Sequence, residues 1–287
     1  MIKKGIILAG GNGTRMSPLT KAVNKQLLPI YDKPLIFYSL SILMLSKIKE
    51  VLIIVNKGQL EQYKKIIPDG NNLGMKISYK EQEKPNGLPE AFIIGETFIK
   101  KDNVALILGD NFFYGQNLSS LLLECKNLKS GAKVVLHKVN KPELYGVAQL
   151  KNNKISIIKE KPKKFISEKA ITGLYFFDNN VIKLSKKLKK SKRNELEITD
   201  LLKIYKKQNK LRFKELGRGA VWLDTGSIED FYNASSFVST IENRQGIKIA
   251  CLEEISLNNN WISKKELNQS IKFYGNCKYS NYLKTFL

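Results

Sequence analysis

The chain has 287 residues, 43% of them hydrophobic, which is enough for one large core or a main domain with a smaller appendage and excludes a disordered polymer. No apolar run approaches the ~20 residues that cross a bilayer, and the N-terminus leads into a strand without a basic region, apolar h-region or cleavage site, so no membrane partner is expected and a cytoplasmic location is the default. The formal charge of +23 invites nucleic-acid binding, but the excess is nearly all Lys, Arg stands only at 15, 193, 212, 218 and 244, and the run Lys183–Lys192 lacks interleaved aromatics; a Lys- and Asn-rich composition explains the charge, and no nucleic-acid partner is expected.

In chain order, Ile6, Ile7 and Leu8 form the apolar heart of a strand Lys4–Leu8, followed by a small-residue loop with glycines at 10, 11 and 13. Glycines there permit positive φ and let backbone N–H groups approach an anion, while Arg15 and Lys25 add a forked and a point cation. The pattern predicts a cradle for a nucleoside triphosphate; an ordinary tight turn between strand and helix is the alternative. It is not a P-loop, lacking the Gly-Lys-Ser/Thr ending, and Met16 stands where a G-x-G-x-x-G fingerprint begun at Gly11 places its last glycine.

Further strands are expected at Glu50–Val55, Met75–Glu81, Val104–Leu108 and Ala132–Val139, alternating with helical spacing over Leu35–Ser46, Gln59–Ile66, Leu88–Phe98 and Leu118–Leu128. That alternation predicts a Rossmann-like α/β fold with a mixed, mostly parallel sheet flanked by helices, in which ligands bind beyond the carboxyl ends of the strands. From Gly146 the pattern turns to short β runs, Val147–Leu150, Lys154–Lys159 and Ile171–Phe177, read as an extension of the same sheet. A Lys-rich helix, a strand near Leu211–Leu216, and helices over Ile228–Asn243 and beyond Ser263 complete the chain.

Asp110 ends the apolar strand Val104–Leu108, and Asp224 follows Trp222 and Leu223; each is a Mg²⁺ candidate or a turn-capping Asp, and Mg²⁺ commonly takes one or two carboxylates together with phosphates. Glu160-Lys161-Pro162 alone reads as a strand exit, and Pro85-Asn86-Gly87 as a turn entering a helix. Cys125, Cys251 and Cys277 are too scattered for a disulfide framework or zinc site, and the lone His137 lies in a strand-like run with no role assigned.

The stretch from Leu8 through Arg15 and Pro18 to Lys25-Gln26-Leu27-Leu28-Pro29, and on through Tyr31-Asp32-Lys33-Pro34-Leu35, resembles the sugar-1-phosphate nucleotidylyltransferases; the Lys-Gln-Leu-Leu-Pro form is similar to their glucose-1-phosphate thymidylyltransferase branch. The resemblance runs nearly end to end. It implies nucleotide contacts from Leu8, Gly10, Gly11, Gly13, Thr14, Arg15, Lys25, Gln26, Gln82, Gly87 and Asp110, and a sugar-phosphate pocket of Asn111, Gly146, Glu160, Lys161 and Ile171. Arg15, Lys25, Lys161 and Asp110 become the expected catalytic residues, and Asp110 with Asp224 the expected Mg²⁺ pair. Asn86 stands where Asp is frequent in these enzymes, Pro89-Glu90 where Ala-Gln is usual, and Ile171 where Val is common.

The resemblance further implies dTTP and glucose 1-phosphate as substrates, a homotetramer, feedback inhibition by dTDP-rhamnose, and a place in cell-surface polysaccharide synthesis. Its domain reading is a catalytic unit over 1–241, with a nucleotide half to about 140 and a sugar-phosphate half from 141, then a helical C-terminal appendage over 242–287. Glu195–Asp200 and Thr240–Gly246 also agree with segments of these enzymes, though both pass as ordinary helix ends. A uridylyl- or cytidylyltransferase, a non-catalytic nucleotide-sugar sensor and a basic polyanion binder are the competing functions.

Overall fold

The computed structural model describes residues 1–11 and 13–287. The first half runs β1 (Lys4–Ala9), β2 (Pro29–Ile30), β3 (Lys33–Pro34), α1 (Leu35–Leu45), β4 (Glu50–Asn56), α2 (Leu60–Ile66), β5 (Lys76–Gln82), α3 (Glu90–Ile94), α4 (Glu96–Ile99), β6 (Val104–Leu108), β7 (Phe112–Tyr114) and α5 (Leu118–Lys126). The second half runs β8 (Ala132–Lys138), β9 (Gly146–Lys151), β10 (Lys154–Glu160), β11 (Lys169–Phe177), α6 (Asn180–Lys186), α7 (Ile198–Lys207), β12 (Leu211–Glu215) and β13 (Val221–Leu223). Four helices close the chain: α8 (Ile228–Gln245), α9 (Leu252–Asn258), α10 (Lys264–Tyr274) and α11 (Lys278–Lys284).

One nine-stranded sheet organises the molecule in the order β10-β9-β11-β6-β1-β4-β5, with β8 paired to β11 and β12 to β8. Strands β5, β4, β1 and β6 are parallel, which is why they read as continuous apolar runs: both faces are covered. Antiparallel β11 joins the sheet to the second half, pairing Leu174 with Ile107 of β6 and, across a register shift between Ile171 and Tyr175, Phe177 with Ala132 of β8. The sugar-side strands are thus part of the same sheet as the glycine loop.

From β1 the chain moves to β4 and β5 on one side, then returns to place β6 on the other. The reversal creates a switch point between β1 and β6, where the loops beyond the strand ends diverge and leave a crevice. Both the glycine loop after β1 and Asp110 after β6 open onto it.

Helix α1 is buried along almost its whole length, from Leu35 to Met44, because the C-terminal helices cover the side that the sheet does not. Asn259 Nδ2 donates to Met44 O at 3.2 Å, and Ser256 Oγ to Leu73 O at 2.9 Å. A helix covered on all sides needs no polar face, which accounts for the run Leu35-Ile36-Phe37-Tyr38.

Two expected helices differ from observation. The segment 88–98 is two short helices meeting at Gly95, where a Cβ would come within 2.9 Å of Ala91 O and of Ile6 Cδ1. The Lys-rich helix stops at Lys186, and the chain beyond it runs irregularly until α7 begins at Ile198. Cys125, Cys251 and Cys277 are all free thiols. Among the described residues, no helix is long and apolar enough to cross a membrane.

Candidate active site

The loop leaving β1 is pinned from outside. Asn56, the last residue of β4, accepts from Gly11 N through Oδ1 and donates to Gly11 O through Nδ2, each at 2.9 Å. Thr20 Oγ1 donates to Gly13 O at 2.7 Å, and Gly13 takes φ +57°, a conformation that suits glycine. Gly10, Gly11, Gly13, Thr14, Arg15, Lys25, Gln26 and Asp110 line one lobe of a cleft, about 580 Å³ in volume. Gln26 is positioned by Asn24, whose Oδ1 accepts from Gln26 N at 2.9 Å, and the buried Gln26 Oε1 has no hydrogen-bond partner among the described residues.

Two acidic groups meet at the same place. Lys25 Nζ lies 2.9 Å from Asp110 Oδ2, and Thr225 Oγ1 donates to Asp110 O at 2.7 Å, tying the loop after β13 to the end of β6. The short β7–β13 ribbon, with Phe113 opposite Trp222, provides the register for that contact. A Cβ added at Gly226 would lie 3.0 Å from Asp224 Oδ2 and 3.1 Å from both terminal guanidinium nitrogens of Arg15, so cation and carboxylate share one corner. Asn111 organises the rest: Nδ2 donates to Asp110 Oδ1 at 3.1 Å, while Oδ1 accepts from Trp222 Nε1 at 2.6 Å and from Gly173 N at 3.0 Å.

Burial pushes the Asp224 carboxyl above its ordinary pKa, the charges of Asp110 and Asp230 add to the shift, and Lys25 and Arg15 oppose it. These two carboxylates, with cations at their edge, are a donor set that a divalent cation would fit. Among the described residues no cluster of three or more His, Cys, Asp or Glu surrounds them. Two carboxylates without a full protein cage suit a hard divalent cation that completes its shell with phosphate and water.

The second lobe, about 670 Å³, is lined by Asn111, Tyr145, Gly146, Glu160, Ile171 and Trp222 together with Arg15, Asp110 and Asp224. Burial and the neighbouring Glu197 raise the Glu160 carboxyl pKa, against the pull of Arg193 and Lys161. Arg193 bridges the acids, with Nη2 2.6 Å from Glu197 Oε2 and 3.3 Å from Glu160 Oε1. Lys161 takes φ +38°, donates its N–H to Tyr145 O at 3.0 Å and has an exposed side chain.

The third lobe, about 910 Å³, is bounded by Leu8, Gly10, Gly11, Gln82, Gly87, Lys161 and Arg193. Gly87 has φ +108°, and a Cβ there would strike Leu196 O at 2.1 Å; the contact is the close packing of two loops, with Leu196 N donating to Asn86 O at 2.7 Å. Arg15 borders all three lobes. Every residue expected to contact nucleotide, sugar phosphate or metal lines one of them, with Lys161 on the third lobe instead of the Asn111 lobe and Glu160 shared between the two. His137 lies apart, half-buried and edge-on to Trp222 with ring centroids 6.3 Å apart, and burial lowers its pKa.

The sequence signature of the family described as Nucleotidyl transferase matches residues 4–241. A glucose-1-phosphate thymidylyltransferase of Neisseria meningitidis serogroup A / serotype 4A is 47% identical, covering 98% of each chain, and one from Mycobacterium tuberculosis is 41% identical over 98% of this chain and 97% of its own. The chain belongs to the glucose-1-phosphate thymidylyltransferase family. Among solved structures, a Bacillus anthracis protein described as a glucose-1-phosphate thymidylyltransferase in complex with sucrose matches with TM-score 0.76 and 38% identity, over 82% of this chain and 94% of that one. A UDP-glucose pyrophosphorylase complexed with UDP-glucose matches with TM-score 0.73 and 26% identity, over 84% and 100%. The chain is therefore a nucleotidyltransferase, with the fold of this family.

Several residues that shape this family member's cleft escaped sequence reasoning. Arg193 sits at the end of a Lys-rich run and looked like part of a solvated helix face. Glu197 and Thr199 lie within Glu195–Asp200, which passed as a helix end, yet Glu197 anchors Arg193 and Thr199 lines the Asn111 lobe. Asn56 gave no local signal beyond its place at the end of an apolar strand. Tyr145 donates to Asp224 Oδ1 at 3.4 Å and packs its ring against Trp222 at 5.1 Å between centroids; its place next to Gly146 is the signal the sequence offers.

Proposed function

We propose that the chain transfers the thymidylyl group of dTTP to glucose 1-phosphate, giving dTDP-α-D-glucose and diphosphate, the first step towards dTDP-rhamnose and related deoxysugars. The observation that carries this reading is the Lys25–Asp110 ion pair beside the corner at Gly226 that Arg15 and Asp224 share, with Arg15 bordering all three lobes. A triphosphate laid along the glycine loop would have its α-phosphorus there, with a sugar phosphate in the adjoining lobe.

In the reaction an oxygen of the sugar phosphate attacks the α-phosphorus in line, a new P–O bond forms, and the bond to the β-phosphate oxygen breaks on the opposite side. No general base is needed, because the attacking oxygen is already ionised. The chain's task is positioning and charge neutralisation. Backbone N–H groups of the Gly10–Gly13 region cradle phosphate, Arg15 and Lys25 offset charge on the departing diphosphate, and Lys161 orients the nucleophile. Gly146, Glu160, Ile171 and Asn111 surround the hexose; Gln82, Gly87 and Leu8 surround the base, and Thr14 and Gln26 complete the phosphate lobe. Mg²⁺ held by Asp110 and Asp224 would neutralise phosphate charge at the reacting centre.

Assembly into a homotetramer belongs to the same proposal; α8 and α10 leave Tyr232 70% and Phe273 74% exposed, apolar surface that a neighbouring subunit would cover. Feedback inhibition by dTDP-rhamnose rests on the resemblance; a cytoplasmic location and the division into 1–241 and 242–287 rest on the pattern along the chain and complete the proposal. The names of the full-length relatives favour thymidylyl over uridylyl or cytidylyl transfer.

Diphosphate release from dTTP, with and without glucose 1-phosphate and Mg²⁺, tests the reading. Release is expected only when all three are present. Salt-sensitive retention on DNA without nucleotide turnover would instead identify a polyanion binder.

A further inference from the structure

Tyr63 carries α2 into the core at 0% exposure, where a plain phenyl ring would pack without the cost of burying a hydroxyl. That hydroxyl lies 2.7 Å from Asn24 Oδ1 and 3.2 Å from Ala9 O, the last residue of β1. Asn24, 4% exposed, is committed at both ends of its amide: Oδ1 also accepts from Gln26 N, and Nδ2 donates to Gln59 Oε1 at 2.6 Å. Gln26 N can only donate, so the polarity of the Asn24 amide is fixed and Gln59 must present its oxygen. The Lys25–Leu27 segment that follows is a single 3₁₀ turn, closed by Leu27 N on Asn24 O at 2.9 Å and too short to hold a direction of its own. The chain before it is a poor anchor, since residues 17–19 and 21–23 are exposed. Gln59 in turn belongs to the turn that Asn56 opens, with Gln59 N donating to Asn56 O at 3.2 Å, and Asn56 is the residue that grips Gly11. One turn therefore holds both walls of the Lys25 lobe, the glycine loop through Asn56 and the Lys25 segment through Gln59 and Tyr63.

We propose that Tyr63 and Asn24 are positioning residues: the buried Tyr63 hydroxyl, with Gln59, braces Asn24, and Asn24 sets the turn that aims Lys25 at the triphosphate. Neither side chain needs to touch a substrate. Their work is to fix the distance between the backbone cradle of the glycine loop and the Lys25 ammonium, so that both meet the same phosphates without rearrangement when nucleotide binds. The inference rests on the assignment of this lobe to the phosphates of the nucleotide.

The test measures kcat for diphosphate release, and KM for each substrate, in the wild-type chain and in Tyr63→Phe, Asn24→Ala and Asn24→Ser. Asn24→Ala should lower kcat about 10-fold or more with KM for glucose 1-phosphate unchanged, the scale of a small misplacement at a reacting centre. Asn24→Ser should recover most of that loss, because its hydroxyl oxygen can still accept from Gln26 N. Tyr63→Phe, which keeps the ring and removes one hydrogen bond, should lower kcat about 3-fold or more. Because the relay acts through Lys25, adding Tyr63→Phe to Lys25→Met should change kcat by less than about 2-fold. Wild-type kcat in Tyr63→Phe with only a lower melting temperature, or the same fractional loss with and without Lys25, overturns the proposal. Should Asn24→Ala not fold, Tyr63→Phe and its pairing with Lys25→Met decide by the same outcomes. Failure of the wild-type chain to release diphosphate from dTTP would sink thymidylyl transfer itself, and the relay with it.

Discussion

Lys25 Nζ and Asp110 Oδ2 lie 2.9 Å apart, bringing the end of the Gly-rich segment onto the end of the sixth strand. Lys25 is 8% exposed and Asp110 27%, so the cation is held by the fold while the carboxylate keeps a face towards the cleft. Lys25→Met should therefore fold and bind dTTP, but lose a preorganised charge aimed at the phosphates. We expect kcat to fall about 10²–10³-fold, the usual scale for one electrostatic group at a reacting centre. Lys25→Arg should recover only part of the rate, because a planar fork cannot occupy the site of a point charge. Steady-state diphosphate release checks both, and wild-type kcat in Lys25→Met would falsify the role.

In the proposed role Asp224 trades stability for metal binding. Its pKa is raised by burial and by the like charges of Asp110 and Asp230, so the folded state holds its proton to higher pH than the unfolded chain does. Stability from this group is present at acidic pH and lost as pH rises through the raised value, because there the native state binds more protons than the unfolded one. Asp224→Asn, measured with chelator present, should unfold at a higher temperature than wild type at neutral pH. The gap should narrow on acidification towards the ordinary carboxylate range, while metal-dependent activity disappears. A thermal-melt series against pH for the two proteins tests the sign, and a lower melting point for the variant at neutral pH would contradict it.

The central sheet was legible because Ile6, Ile7, Leu52, Ile53 and Leu106 are covered on both faces, and double burial writes itself as an uninterrupted apolar run. Asp110 was legible for a related reason: a polar residue just after such a run stands at the edge where ligands bind. The partnership of Asp110 with Asp224 was not readable from local pattern, since it depends on the pairing of Phe113 with Trp222 and on the Thr225 hydroxyl. Arg193 was hidden by its neighbours. A solvated helix and an irregular return loop use the same Lys, Ser and Asn residues, and the turn that delivers its guanidinium to Glu160 shows only in the structure, in the Ser191 N to Glu195 O bond at 2.8 Å and the Asn194 N to Ser191 O bond at 2.9 Å.

Arg193 separates two carboxylates that otherwise repel. In Arg193→Ala, Glu160 and Glu197 face each other without the guanidinium, and Glu160 should hold its proton still more tightly, given the direction in which Glu197 already pushes it. Acting through Glu160, which lines the second lobe as well as the third, the change should raise the KM for glucose 1-phosphate about 10-fold, with a smaller rise for dTTP because Arg193 itself lines the third lobe. The stability cost is expected to be only about 1 kcal/mol, because the Arg193 side chain is 41% exposed. Separate saturation curves for the two substrates provide the check. An increase confined to dTTP would move Arg193 to the nucleotide side.

Gly87 tests the closure of the third lobe, proposed for the base, against the loop that carries Arg193. Its φ of +108° is strained for an L side chain, and an added Cβ would come within 2.1 Å of Leu196 O and 2.6 Å of Leu196 N. Backbone cannot yield as a flexible side chain would, so Gly87→Ala must separate the two loops and strain the Leu196 N to Asn86 O bond of 2.7 Å. The expected destabilisation is about 1–3 kcal/mol. Opening here also frees Asn86 and, through Glu90, which accepts from both side chains, the Gln82 amide, so dTTP affinity should fall more than glucose 1-phosphate affinity. Denaturant unfolding and dTTP titration measure the two effects, and a variant matching wild type in both would mean that the loops do not pack as described.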